Sequence, residues 1–191
     1  MQILTKDDFM VHMEEYLDKI KKGAVFIYPT DTIYGIGCDA TNEEAVKKIR
    51  DLKDRPDRPF SVIAPNKEWI LEHCKPEEKV VGEERIQKLP GPYTLVMHLK
   101  TETLIAPSCN NSLKTLGVRI PRHWFSRMVK ELDLPLVTTS ANKINQDFMA
   151  SLEDLDPDIK AKVDFIVYED EIKGRPSKIV CLDKQLEIKE R

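Results

Sequence analysis

The sequence predicts an α/β fold with a mixed sheet, on two observations. Short apolar runs of strand length, such as 24–28, 60–64 and 136–139, alternate with segments whose apolar residues recur at helical spacing. The polar clusters follow the ends of those runs, which is where open α/β sheets commonly bind ligands. A length of 191 residues fits one domain with a sizeable core.

Taken in order, Thr5 reads as the cap of a helix whose apolar face is Phe9, Met13, Tyr16, Leu17 and Ile20, ended by Gly23. The apolar run 24–28 is a buried strand. Thr41-Asn42-Glu43-Glu44 reads as a capping box before Ala45, Val46, Ile49 and Leu52, and that helix must stop before Pro56. Residues 60–64 form a strand, Asn66 caps a short helix, and 77–89 is helical. After the Pro90-Gly91-Pro92 break come strands at 93–99 and 115–120. Pro121 suits the first turn of a helix running to Leu132. Residues 136–139 are a strand, 151–163 are mostly helical around Pro157, and 165–168, 178–182 and 186–188 are strands.

Composition narrows the function. Hydrophobic residues make up 41% and charged residues 33%, so the chain packs a core rather than staying disordered. A net charge of −3 gives no global attraction to nucleic acid or anionic membrane, so any anion site must be a local concentration of Lys and Arg. No apolar run approaches the ~20 residues of a membrane span, and no apolar signal core opens the chain, so the expectation is a cytoplasmic protein without membrane contact. The scattered cysteines 38, 74, 109 and 181 and histidines 12, 73, 98 and 123 point to reduced thiols rather than a disulfide framework or a metal site.

Four constellations carry chemistry. Lys47, Lys48, Arg50, Lys53, Arg55 and Arg58 outnumber the acidic residues between positions 47 and 58. Such a run is commonly a solvated helix face, but Lys53 and Arg55 sit just before Pro56 on a stiffened turn, and an arginine fork beside a mobile lysine suits phosphate oxygens. Thr138-Thr139-Ser140-Ala141-Asn142 follows an apolar strand and reads either as a helix cap or as a cluster of ligand-facing hydroxyls. Pro29-Thr30-Asp31-Thr32 has the same two readings, with Asp31 more simply a turn-stabilising carboxylate. Arg119 lies inside an apolar strand, where an unpaired charge is too costly. It must therefore be in an internal salt bridge or face a polar cavity and capture a carboxylate. Gly35 and Gly37 lack a third glycine at dinucleotide spacing, and no phosphate-binding GxxxxGK[ST] loop is present.

In this order the pieces resemble the YrdC/YciO family, whose best-known members are L-threonylcarbamoyladenylate synthases. The resemblance runs from about residue 23 onward. It rests on the segment from Pro29 to Gly37, Lys53-x-Arg55, Pro90-Gly91-Pro92-Tyr93-Thr94, Gly117-Val118-Arg119-Ile120-Pro121, Ser140-Ala141-Asn142 and Pro176-Ser177-Lys178-Ile179-Val180. It implies a twisted mixed sheet with a concave basic cavity. It also implies condensation of L-threonine, bicarbonate and ATP, brought with Mg²⁺, to threonylcarbamoyl-AMP and pyrophosphate for the t6A modification of tRNA. By resemblance Thr30, Arg119, Thr138 and Ser177 contact threonine. Lys53, Arg55, Thr115, Ser140 and Asn142 contact the nucleotide, with Lys53 and Arg55 as the catalytic pair. Arg191 matches a C-terminal nucleotide-contacting arginine, with Lys189 one step away as the alternative. The implied partners are the t6A transferase machinery and, through a concave basic face, tRNA or other RNA. Ile63 stands near where many relatives carry a histidine, and Ser177-Lys178-Ile179-Val180-Cys181 replaces the usual Ser-Thr-Ile-Val-Asp.

The competing reading is a non-catalytic, YciO-like protein that binds RNA or nucleotide. Its binding would be dominated by phosphate contacts and weakened steeply by salt. The negative net charge and the lack of a basic-aromatic repeat weigh against it. A different adenylate-forming or carbamoyl-transfer enzyme using the same pocket is a third reading.

Overall fold

The computed structural model describes residues 1–184 and 187–189. Along the chain run β1 (Gln2–Leu4), α1 (Lys6–Val11), α2 (Met13–Lys21), β2 (Phe26–Tyr28), β3 (Gly35–Gly37), α3 (Glu43–Lys53), β4 (Ser61–Ile63), α4 (Lys67–His73), β5 (Cys74–Lys75) and α5 (Lys79–Gln87). They are followed by β6 (Tyr93–Leu99), α6 (Pro107–Asn110), β7 (Thr115–Arg119), α7 (Phe125–Leu132), β8 (Leu136–Ser140), α8 (Pro157–Lys162), β9 (Phe165–Val167), β10 (Lys178–Cys181) and β11 (Glu187–Lys189). The strands form one sheet in the order β1-β9-β2-β3-β8-β4-β7-β6-β10-β11, with β5 added on β6. Its pairings are mixed: β4 is parallel to β7 and antiparallel to β8. Among the described residues no helix is long and apolar enough to cross a membrane.

The period of two along each strand divides the sheet into two unlike faces. One face carries Ile27, Ile36, Val62, Val118 and Val137, packed in one cluster with Ala45, Val46 and Ile49 of α3. The other begins as an aromatic cluster, in which Phe26, Tyr28 and Phe165 meet Phe9 of α1, Tyr16 of α2 and Phe125 of α7. The Tyr28 and Phe125 rings stack with centroids 4.5 Å apart, and Phe26 stacks on Phe165 at 4.8 Å. Ile63 and Leu136 continue this face inward. Beyond them it turns polar, and there the candidate site lies.

Several local expectations change. The first helix divides at His12 into α1 and α2, but Phe9, Tyr16 and Ile20 remain its buried face. Thr5 forms a reciprocal capping box with Asp8, and Gly23 ends α2 at φ +92°. The cap of α3 is Asn42, which accepts from the Ala45 amide, rather than a Thr41–Glu44 box; the Thr41 hydroxyl donates to Asp39 instead. The helix after Pro121 starts only at Phe125, because the Arg122 amide is held by Asp31 Oδ2 at 2.8 Å. Between 151 and 163 only Pro157–Lys162 is helical, capped by Asp156; Asp154 folds back to accept from Ser151 in a turn. The strand β3 was not foreseen, since its glycines carry no periodic signal. They are required by closeness, because a Cβ on Gly37 would lie 2.3 Å from the Val137 carbonyl oxygen. Leu186 lies outside the described residues.

Two substitutions test this packing by urea denaturation. Phe125→Ala is expected to cost about 3–5 kcal/mol through cavity formation. Asn42→Ala is expected to cost about 1 kcal/mol through the lost cap.

Candidate functional site

The pleat that puts Leu136 into the aromatic cluster also directs Thr138 and Ser140 to the same face, further along β8. Neighbouring strands add Ser61 of β4, Thr94 of β6 and Arg119 of β7, while the 30–34 connection after β2 adds Thr30 and Tyr34. Ser177, just ahead of β10, shares a hydrogen bond with Thr94 at 2.8 Å. These residues line a cavity of about 210 Å³. Gly117 keeps its floor open: a Cβ there would lie 2.4 Å from Ser61 Oγ. Phe148 forms part of the wall.

Arg119 is in an internal salt bridge and also faces the polar cavity. Its Nη2 donates to Asp31 Oδ1 at 2.6 Å, with Thr32 Oγ1 3.4 Å from both terminal nitrogens. Only 6% of the Arg119 side chain and 11% of the Asp31 side chain are exposed, so this is a buried ion pair. Burial lowers the Arg119 pKa and the Asp31 carboxylate opposes that shift. The guanidinium also lines the cavity, and its Nε is buried with no hydrogen-bond partner among the described residues. Asp31 is thus a structural carboxylate, holding Arg119 on one oxygen and the Arg122 amide on the other. The Thr30 hydroxyl shapes the turn, donating to the Ile33 carbonyl at 2.7 Å and accepting from the Thr32 and Ile33 amides.

A second hollow of about 380 Å³ adjoins the first, since Ser140 and Asn142 line both. Its cations are Lys53, Arg55, Arg58 and Lys143. Lys53, the last residue of α3, is almost fully buried and donates to the Ser140 and Asn142 carbonyls and, at 3.2 Å, to Asn142 Oδ1. Burial, then the nearby Arg55 guanidinium, pulls its pKa down to about 7. Ser140 Oγ donates to the same Asn142 Oδ1, whose amide nitrogen donates to the Gln146 carbonyl. Arg55 reaches Thr139 Oγ1 at 3.3 Å and lies over the Phe60 ring. Lys143 is engaged by Asp156 and Asp158.

The structure therefore gathers Thr30, Arg119, Thr138 and Ser177 around one cavity and Lys53 and Arg55 around the other, with Ser140 and Asn142 between. Thr115 lines neither; it opens β7 at the end away from Arg119, opposite His98, and its carbonyl accepts from Asn110. Arg191 lies outside the described residues. Sequence reasoning passed over Ser61, Thr94 and Phe148 as lining residues. The signal for Thr94 was its place in the Pro90–Thr94 motif, while Ser61 was legible only through strand register. Burial pushes the Cys74 and Cys109 thiols to about 12 and raises Cys38 too, so none of these three is a thiolate nucleophile at neutral pH. Among the described residues no group of three or more His, Cys, Asp or Glu is arranged to hold a metal ion.

A family model labelled Sua5/YciO/YrdC and described as telomere recombination matches residues 18–190. The structure is similar to Sua5 of P. abyssi complexed with L-threonine, with a TM-score of 0.84 and 25% identity over 96% of this chain and 54% of that one. It is similar to MTH1692 of Methanobacterium thermoautotrophicum, with a TM-score of 0.70 and 30% identity over 93% of this chain and 85% of that one. It shares the fold of E. coli YciO, with a TM-score of 0.84 and 18% identity over 100% of this chain and 94% of that one. The chain thus spans little more than half the length of the Sua5 it matches.

Asp31→Asn leaves Arg119 buried without its countercharge and is expected to cost about 3–5 kcal/mol in urea denaturation. Thr115→Ala, away from both hollows, should leave ligand affinity at the site unchanged in calorimetry.

Proposed function

Because this chain belongs to the Sua5/YciO/YrdC family, we propose that it condenses L-threonine, bicarbonate and ATP into threonylcarbamoyl-AMP and pyrophosphate, for the t6A modification of tRNA. The observation that carries this reading is the pair of adjoining hollows of unlike charge. The smaller is lined by hydroxyls and by an arginine already balanced by Asp31. That setting suits a zwitterion such as an amino acid, whose carboxylate would face the Arg119 guanidinium. The larger concentrates cations and suits a polyanion. That one relative was crystallised with L-threonine agrees with this division.

In this mechanism the threonine amine, as the free base, adds to carbon dioxide with loss of a proton, or to bicarbonate with loss of water, to give an N-carboxylate. One of its oxygens attacks the α-phosphorus of ATP, the bond to the β-phosphate oxygen breaks, and pyrophosphate leaves. The N-carboxylate is anionic near neutral pH, so the site needs no strong general base. Its task is positioning and charge neutralisation. Arg119, Thr138 and Ser177 orient threonine, with Thr30 holding the turn above them. Ser140 and Asn142 sit where the two ligands meet. Lys53 and Arg55 face the phosphates. The donors of the larger hollow are ammonium, guanidinium, hydroxyl and amide groups, which fit Mg²⁺ as an ion carried on the phosphates rather than one held by carboxylates. When bound, Mg²⁺ supplies charge neutralisation on the phosphate oxygens. The t6A transferase machinery would take over the product.

The test is pyrophosphate release from radiolabelled threonine, bicarbonate, ATP and Mg²⁺. Release that requires both threonine and bicarbonate is expected, and Lys53→Ala should abolish it while circular dichroism stays unchanged. ATP binding without turnover, together with salt-sensitive RNA binding, would instead identify a binding protein. The low Lys53 pKa adds a pH signature. An arriving phosphate favours the ammonium, so binding draws in a proton wherever the free protein has lost one. Nucleotide affinity is therefore highest below about 7 and falls as pH rises through that value, measurable by calorimetry in buffers of different ionisation enthalpy. The same depressed pKa means that burying Lys53 opposes folding most at low pH, and this cost eases as pH rises from about 7 toward the ordinary lysine range.

A further inference from the structure

Arg50 is buried, with 9% of its surface exposed, yet no carboxylate among the described residues lies within ion-pair distance of it. Its guanidinium is instead surrounded by backbone carbonyl oxygens. Nε donates to Ser108 at 2.6 Å. Nη1 donates to Arg55, Pro56 and Arg58 at 2.8, 3.0 and 3.2 Å. Nη2 donates to Cys109 at 3.4 Å. Its plane lies over the Phe60 ring with the guanidinium carbon 4.6 Å from the centroid, and Arg55 lies over the same ring at 5.5 Å. Three of the five carbonyls belong to the turn between α3 and β4, which carries Arg55 and Arg58 into the larger hollow. The other two belong to α6, so Arg50 fastens that turn to a second element.

We propose that Arg50 is a positioning residue, which holds the 54–60 turn so that Arg55 and Arg58 converge with Lys53 on one anion. The proposal rests on reading the larger hollow as a polyanion site. A buried charge with no carboxylate in direct contact is an expensive way to stabilise a core. A planar fork with five donors, however, can hold a turn whose inward carbonyls would otherwise be unsatisfied. Other hydrogen bonds add to this hold, among them that of Arg55 Nη2 to the Pro59 carbonyl at 3.4 Å. The Arg55 amide donates to the Arg50 carbonyl at 3.2 Å and the Phe60 amide to the Cys109 carbonyl at 2.8 Å. The same residue thus engages the turn through its backbone and its side chain. Lysine keeps the charge but has three donors on one point and no plane to stack on Phe60, so it cannot reach both the turn and α6.

The test is Arg50→Lys, with inorganic triphosphate as the probe. Calorimetry is expected to show at least tenfold weaker triphosphate binding. Hydrogen exchange should quicken at amides 55–60 while the sheet keeps its protection. Because Arg55 helps depress the Lys53 pKa, its displacement should also move the pH profile of binding upward, a change that mere loss of stability would not produce. Wild-type affinity and an unmoved pH profile in Arg50→Lys would overturn the proposal. If the wild-type protein does not bind triphosphate, the polyanion reading fails. Exchange then decides the positioning role alone: faster exchange confined to the turn supports it, and unchanged exchange overturns it. Should Arg50→Lys not fold, Phe60→Leu removes the stacking surface at similar volume. The same local exchange and weaker binding are expected there, and an unchanged turn would overturn the proposal.

Discussion

A single buried ammonium joins the two halves of the site. Lys53 ends α3 on one side of the sheet and is bound by oxygens of Ser140 and Asn142, where β8 runs out. Ser140 and Asn142 line both hollows, so the lysine that helps define the cationic one also fixes the backbone separating it from the hydroxyl-lined one. The Ile144 amide donates to the Lys53 carbonyl as well, closing the connection in both directions. In a chain that is negative overall, the end of one helix and the turn after it bring two arginines and this lysine together.

The second constraint is the Arg119–Asp31 pair. Placing an arginine in a strand that is otherwise apolar requires a partner, and the partner comes from the turn after β2. Asp31 also holds the Arg122 amide, which delays the start of α7. One carboxylate therefore ties three pieces of chain together around the smaller cavity. Gly174 packs so closely on this turn that a Cβ there would lie 1.6 Å from the Thr32 carbonyl oxygen, so the segment leading to Ser177 covers it without a gap.

Much of this arrangement was legible in the sequence, and the gaps have physical causes. The interleaving of strands and helices was visible because apolar spacing repeats over many residues, and the grouping of Lys53 with Arg55 was visible because they are neighbours on a proline-bounded turn. The carboxylate opposite Arg119 was not, because Asp31 is distant in the chain and reads locally as a turn residue. Ser61 was hidden because one hydroxyl in an apolar run means nothing until the register with β7 and β8 is known. The late start of α7 was hidden because capture of the Arg122 amide by the distant Asp31, rather than propensity, sets that boundary. Thr115 shows the opposite case: a position that suits a motif by order lies at the end of its strand away from both hollows.

The alternation along β8 has a further consequence. Leu136, Thr138 and Ser140 face one way, Val137 and Thr139 the other, and antiparallel pairing to β3 and β4 locks that choice. A one-residue insertion or deletion in this strand would exchange the two sets, sending alcohols into the aliphatic layer and a valine toward the smaller cavity. Sequence drift can therefore swap side chains at this site one at a time, whereas changes of length are confined to the connecting turns.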